Sequence, residues 1–369
     1  MSKPLTDRIR SAAWLAALLL LLLAPSCRRG QNKVQDVAYV SAPQVNMRDR
    51  VSALYNKTGT LKNGERVEVL ERNKRFARVR SADGETGWVE QRYLVNEDVY
   101  RVFEKLAAEN RNAPVQAHGV ARATLKMHIT PGRDADSLIQ LKEGGKLEVL
   151  KRATIEKLQT APAQATSATP KAAPAREKRG KRGASEEPAI PMEDWSLARD
   201  EQGHTGWVLA RMLDMDVPLD VAQYAEGQRI VAYFILNRVH DEEAPTGSDE
   251  KAGRAPRDVP QYLVLLTEPR DGMPWDYNQA RIFTWNLKRH RYETAYRERN
   301  LFGVFPVTSG TQAFGKEGVL PVFTLRVKDE DGSIREKRYR MNGPIVRRVM
   351  TPEEEAAEKA ARAAKKSRR

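Results

Sequence analysis

One hexapeptide pattern occurs twice and constrains this chain more than any other feature. Gly84-Glu85-Thr86-Gly87-Trp88-Val89 returns as Gly203-His204-Thr205-Gly206-Trp207-Val208. A repeated Gly-x-Thr-Gly-Trp-Val predicts a duplicated small unit. The residues ahead of each copy indicate its type. They form short runs of alternating apolar and polar residues, broken by Gly-containing turn signals.

In the first copy, Val37, Tyr39 and Val40 begin a strand, and Val45 to Arg48 is another extended piece. Residues 49–59 are polar and predict a long loop. Asn63-Gly64 and Asp83-Gly84 are turn tips. Val67, Val69, Phe76 and Val79 keep the strand alternation, followed by Trp88-Val89 and Tyr93-Leu94. This order resembles the bacterial SH3-like domain family: Asn46-Met47-Arg48, Gly59-x-Leu61, Gly64, Val67-x-Val69, Phe76-x-x-Val79, Gly87-Trp88-Val89, Tyr93-Leu94. The resemblance implies a small antiparallel barrel of a kind common on secreted envelope proteins. The family usually has Trp where Phe76 sits, and a different loop where this chain has Arg48-Asp49-Arg50-Val51.

The second copy aligns in two blocks. Lys126-Met127-His128, Leu141 to Gly144 and Glu148-Val149-Leu150 follow their counterparts at an offset of 80; Trp195 and Gly206-Trp207-Val208 follow Phe76 and Gly87-Trp88-Val89 at an offset of 119. An insert of 39 residues accounts for the difference. It runs roughly over 153–192, is rich in Ala, Pro, Thr and Ser, and turns basic from Arg176 to Arg182. With few large apolar residues it is expected to be disordered. The second copy keeps the family tryptophan as Trp195 and so resembles the family more closely once the insert is set aside.

Between the copies, Asn96-Glu97-Asp98 reads as an N-cap with acidic residues in the first turn, and Val99, Val102, Phe103 and Leu106 recur at helical spacing. A linking helix is expected within 98–117. Beyond 217, seven runs suit strands: 229–239, 262–266, 280–285, 292–296, 302–307, 319–327 and 334–341. They predict an all-β sandwich or barrel. Residues 349–369 are a charged tail.

Residues 1–26 read as an export signal: Lys3, Arg8 and Arg10 precede an almost wholly apolar run from Ala12 to Pro25, too short for a membrane span. The chain's one cysteine follows in Leu23-Ala24-Pro25-Ser26-Cys27. This resembles the lipobox of bacterial lipoproteins and implies lipidation of Cys27 and attachment to a membrane, facing the periplasm or cell exterior. The net charge of +14 falls to +12 when 1–26 are removed, since Lys3, Arg8, Arg10 and Asp7 go with them. Such a balance favours anionic partners.

Catalytic patterns are sparse. A lone cysteine in the export region leaves no Cys–His nucleophile, and five scattered histidines give no zinc motif. No Gly-rich phosphate loop precedes a helix. His128 and His204 occupy variable repeat positions and read as surface residues. The richest basic-aromatic run is Lys288 to Arg291 between Trp285 and Tyr292, but export argues against a nucleic-acid partner.

The expected fold is therefore mainly β: SH3-like domains at 34–97 and 118–217, a linker helix within 98–117, and an all-β domain at 218–348. The expected function is non-enzymatic, with no cofactor or metal. The resemblance implies binding of peptidoglycan or cell-wall peptides beside Phe76, Trp88 and Tyr93 in the first barrel and Trp195 and Trp207 in the second. These residues could equally be barrel core. The alternatives are an accessory or assembly lipoprotein that contacts only envelope proteins, or an accessory subunit of an envelope hydrolase.

Overall fold

The computed structural model describes residues 33–51, 56–157, 191–246, 253–350 and 352. The expected export signal, Cys27, most of the insert and most of the tail lie outside the described residues. The chain is mainly β, as expected. It divides into two compact units. One takes residues up to Ala38 with 44–61 and 65–94; the other takes 39–43, 62–64 and the chain from Val95.

The first sheet has seven strands: β1 (Asp36–Val40), β2 (Gln44–Arg48), β3 (Lys57–Lys62), β4 (Arg66–Asn73), β5 (Phe76–Arg80), β6 (Thr86–Glu90) and β7 (Leu94–Asn96). Their order is β3-β2-β6-β5-β4-β1-β7. The loop expected over 49–59 is shorter, because Lys57 to Gly59 already belong to β3. Met47, Leu61, Val67, Val69, Leu70, Ala77, Val79 and Val89 fill the core. Each such burial contributes roughly 1–3 kcal/mol of apolar transfer.

The second sheet repeats this plan: β8 (Ala117–Ala121), β9 (Leu125–His128), β10 (Ser137–Leu141), β11 (Lys146–Glu156), β12 (Met192–Asp200), β13 (Thr205–Leu209) and β14 (Leu213–Met215). Their order, β10-β9-β13-β12-β11-β8-β14, is that of the first sheet. Phe76 pairs with Asn73 and Glu90; Trp195 pairs with Ala153 and Leu209, the residues at the predicted offsets. A register shift between Val69 and Glu71 recurs between Val149 and Lys151. Met127, Leu141, Leu147, Val149, Leu150 and Val208 are buried like their counterparts. The insert begins later and ends earlier than expected. Ala153 to Glu156 continue β11 and pair with Met192 to Trp195.

The linking helix, α1 (Glu97–Glu109), stops well short of residue 117. Asn96 Oδ1 caps it by accepting the Val99 N–H at 2.9 Å, and Glu97 and Asp98 favour its positive end. Val99 and Phe103 are buried, but Val102 is exposed, so the apolar stripe is narrower than its spacing implied.

The C-terminal domain has eight strands in two antiparallel meanders, one more than expected. The first comprises β15 (Arg229–Pro245), β16 (Arg254–Thr267), β17 (Gln279–Asn286) and β18 (Arg291–Glu298). The second comprises β19 (Gly303–Ala313), β20 (Val319–Lys328), β21 (Ile334–Asn342) and the unanticipated β22 (Ile345–Val349). Leu263, Leu265, Ala280 and Ile282 of the first meander pack against Val307, Phe323, Leu325 and Tyr339 of the second, as in a sandwich. The opposite face of the first meander carries Tyr262, Val264, Phe283, Trp285 and Tyr292. It packs against Val221 of a short helix, α2 (Leu219–Ala222), and Tyr224. Burial on both faces explains why β16 and β17 read as apolar runs without clean alternation.

Polar contacts fasten the second barrel to this domain. Gln116 is 1% exposed, and its carboxamide accepts the Val307 N–H at 2.7 Å and donates to the Val307 carbonyl at 3.3 Å. It thereby supplies partners where the β19–β20 register is interrupted. Arg152 of β11 donates to Asp194 Oδ1 at 2.7 Å, to the carbonyls of Trp275 and Met273, and to Asp276 at 3.3 Å. Asp194, with a side chain 1% exposed, also accepts the Gly272 N–H at 3.1 Å and lies 3.5 Å from Arg229. Burial raises the Asp276 carboxyl above the ordinary range, opposed by the Phe305 N–H and Arg152. The second barrel and the C-terminal domain are thus joined through a buried, charge-assisted network.

Candidate functional site

The two glycines of the repeated hexapeptide have separate physical roles. Gly84 and Gly203 adopt φ of 84° and 88°, the left-handed turn conformation that glycine favours. Gly87 and Gly206 allow close packing. A Cβ on Gly87 would stand 2.6 Å from Met47 Cβ, and one on Gly206 would stand 2.7 Å from Met127 Cβ. Strand crossing therefore requires glycine immediately before each tryptophan.

Strand alternation then turns Trp88 away from the buried Gly87 and Val89. It is half-buried on the outer face of β6. Its cross-strand neighbours are Arg48 of β2 and Arg78 of β5. Phe76, also half-buried, lies on the same face of β5 two residues before Arg78. Trp88 thus stands between two arginines on one surface, with Phe76 next to Arg78. Tyr93 lies in the turn after β6, where Arg92 donates to its hydroxyl at 2.7 Å and stacks 4.7 Å from its ring. A guanidinium over an aromatic face gains cation–π attraction.

The second barrel treats the same positions differently. Trp207 is half-buried like Trp88, and its cross-strand neighbours are His128 and Leu197. Trp195 and Leu197 are 2% and 1% exposed, so this face is closed where the first barrel is open. The His128 ring meets Trp195 edge-on at 5.3 Å, and Nδ1 bonds the Ala135 carbonyl at 2.8 Å. Burial lowers the His128 pKa. His128 is therefore part of the aromatic cluster, contrary to its expected surface role. Arg133 grips Glu193 through its guanidinium and pins the loop after β9 to β12. His204 pairs with Asp200 at 2.8 Å, and that hydrogen bond raises its pKa.

A cleft of about 530 Å³ opens elsewhere on the second barrel, lined by His118, Lys146, Glu148, Arg199, Asp200 and Asp216 among others. It contains none of the predicted aromatics, and its charges are of both signs. The basic-aromatic run at 285–292 is split: Lys288, Arg289 and Arg291 are exposed, but its aromatics are not. Trp285 and Tyr292 are buried; Asp241 accepts from Trp285 Nε1 at 2.6 Å and pairs with His290 at 2.8 Å. Sequence spacing missed Asp241 because its partners lie over 40 residues away. Among the described residues, no group of three or more His, Cys, Asp or Glu is placed to hold a metal. No described helix is long and apolar enough to cross a membrane.

Residues 43–95 match the family model for the bacterial SH3 domain. The matched copy is the uninterrupted one, although the second keeps the family tryptophan. No curated protein matches the chain. Among solved structures, NlpC2 from Trichomonas vaginalis is 10% identical over 48% of this chain and 47% of its own, with a TM-score of 0.15. The matched part of this chain thus spans less than half of NlpC2. An NlpC/P60 family protein from Bacillus cereus ATCC 10987 is 8% identical over 70% of this chain and 93% of its own, with a TM-score of 0.21. NlpC1 from Trichomonas vaginalis is 9% identical over 70% and 87%, with a TM-score of 0.15. These similarities are too distant to assign a function. The family finding is that the first barrel is similar to bacterial SH3 domains.

Proposed function

We propose that this chain is a non-enzymatic cell-envelope protein that binds peptidoglycan or its peptides through the open face of its first barrel. The observation that carries the reading is Trp88 between Arg48 and Arg78, with Phe76 beside them, inside the segment that matches the bacterial SH3 domain. Aromatic faces provide apolar contact, and guanidinium groups pair with carboxylates. Wall peptides offer both kinds of partner. In this reading the second barrel serves as scaffold: its Trp195 is buried and its hairpin is fastened to the C-terminal domain. Export and lipidation at Cys27 would place the protein at the envelope membrane.

A pull-down of the full chain on purified peptidoglycan tests this reading. Retention at both low and high salt is expected, with loss of retention in Trp88→Ala. Retention only at low salt would reduce the interaction to net charge. No retention at either salt would favour the alternative, a lipoprotein that contacts protein partners.

A further inference from the structure

A second polar site lies at one end of the β15–β18 meander. It is a cleft of about 300 Å³ lined by Glu226, Gln228, Asn278, Gln279, Arg299 and Asn300. Every lining side chain is polar, and four are carboxamides. Arg281 and Arg297 are cross-strand partners, and both reach Glu226 Oε1, at 3.1 and 3.0 Å. Arg299 donates through Nε to Gln279 Oε1 at 3.1 Å, and Gln279 donates to Gln228 at 3.0 Å. Two guanidiniums therefore hold the Glu226 carboxylate, and Arg299 is the arginine that lines the cleft itself. A second carboxylate, Glu268, stands behind Asn278 and accepts its Nδ2 at 2.8 Å.

Two further observations point to a ligand. The buried Oδ1 of Asn278, a lining residue, has no hydrogen-bond partner; behind the lining, the Nε of Arg281, whose side chain is 3% exposed, has none either. Unsatisfied buried polar atoms are costly and uncommon. Glu226 and Asn300, both lining residues, adopt φ of 54° and 56°, in the left-handed region that non-glycine residues enter rarely. Backbone strain of this kind concentrates at ligand sites.

We infer that this cleft binds the free carboxylate end of a short polar peptide. Arg299 offsets its negative charge, and the carboxamides match the donor and acceptor of its last amide group. This chemistry could come from a wall peptide or from the C-terminus of a protein. The inference is independent of the first barrel.

Calorimetric titration of the full chain with N-acetyl-dialanine tests it, using L,L and D,D free acids and their C-terminal amides. The free acid of at least one series is expected to bind, with its amide weaker by about tenfold or more. A preference for D,D acid supports a wall peptide; a preference for L,L acid, or equal binding, supports a peptide terminus in general. Arg299→Gln should weaken acid binding by a similar factor. Equal binding of acid and amide, no binding of either, or inorganic phosphate binding as tightly as the acid would overturn the inference. So would unchanged acid affinity in Arg299→Gln. The acid–amide comparison needs only the unaltered chain.

Discussion

The two barrels have the same strand order, the same bulge position and the same pair of hexapeptide glycines, yet they expose different surfaces. At the tip of the β4–β5 hairpin, Arg72 and Arg75 are exposed. The corresponding residues of the second barrel are Arg152 and Asp194, buried in the network that joins the C-terminal domain. Phe76 is half-buried, whereas its counterpart Trp195 is 2% exposed. One framework therefore supports an open face in one copy and a packed joint in the other. The difference arises from side chains outside the conserved crossing, since Gly-Trp-Val has the same burial pattern in both.

The strongest way to break this comparison is at the hairpin tips. Asp194→Ala leaves the Arg152 guanidinium without its main carboxylate and should cost about 3–5 kcal/mol in chemical unfolding. Arg75→Ala, at the matching exposed tip, should change stability by less than about 0.5 kcal/mol. The aromatic pair comes next. Trp195→Ala opens a large cavity and should cost about 3–4 kcal/mol, while Trp88→Ala should cost about 1 kcal/mol and act mainly on binding. Equal losses would remove the distinction between packed and open faces.

The shared crossing should give a matched effect. Gly87→Ala and Gly206→Ala each force a Cβ against a methionine and should each cost about 1–3 kcal/mol by thermal unfolding. If one were neutral, the crossings would not be equivalent.

The smallest effects come from the two second-barrel histidines, whose signs are opposite. Burial depresses the His128 pKa, so the folded state favours the neutral ring more than the unfolded chain does. Its contribution is present above an unfolded pKa of about 6.5 and is lost as the unfolded chain takes up the proton at lower pH. His204 is raised by Asp200, so its contribution is present below about 6.5 and is lost as pH rises through the folded value. Unfolding between pH 5.5 and 8 should show His128→Gln removing acid sensitivity and His204→Gln removing acid stabilisation. Each effect is on the order of 1 kcal/mol or less.

Much of this was legible in the sequence, for identifiable reasons. The two offsets read from Met47 and Gly87 recur in the strand registers of Phe76 and Trp195, because turns and crossing glycines fix register locally. The cap at Asn96 was readable because its side chain acts three residues on. The closed face of Trp195 was not, because burial depends on the surrounding fold and a tryptophan at that position reads alike whether packed or exposed. Nor was the Arg152–Asp194–Asp276 network, whose members lie in separate segments. The arginine cleft was hidden for the same reason. Arg281, Arg297 and Glu226 look like ordinary surface charges until β17 and β18 pair beneath them.

The central claim is that binding belongs to the open face of the first barrel and not to the duplicated fold as such. High-salt retention on purified peptidoglycan tests it most directly, comparing the full chain with Trp88→Ala and Trp207→Ala. Loss of retention in Trp88→Ala alone is the predicted result; full retention in Trp88→Ala would contradict it.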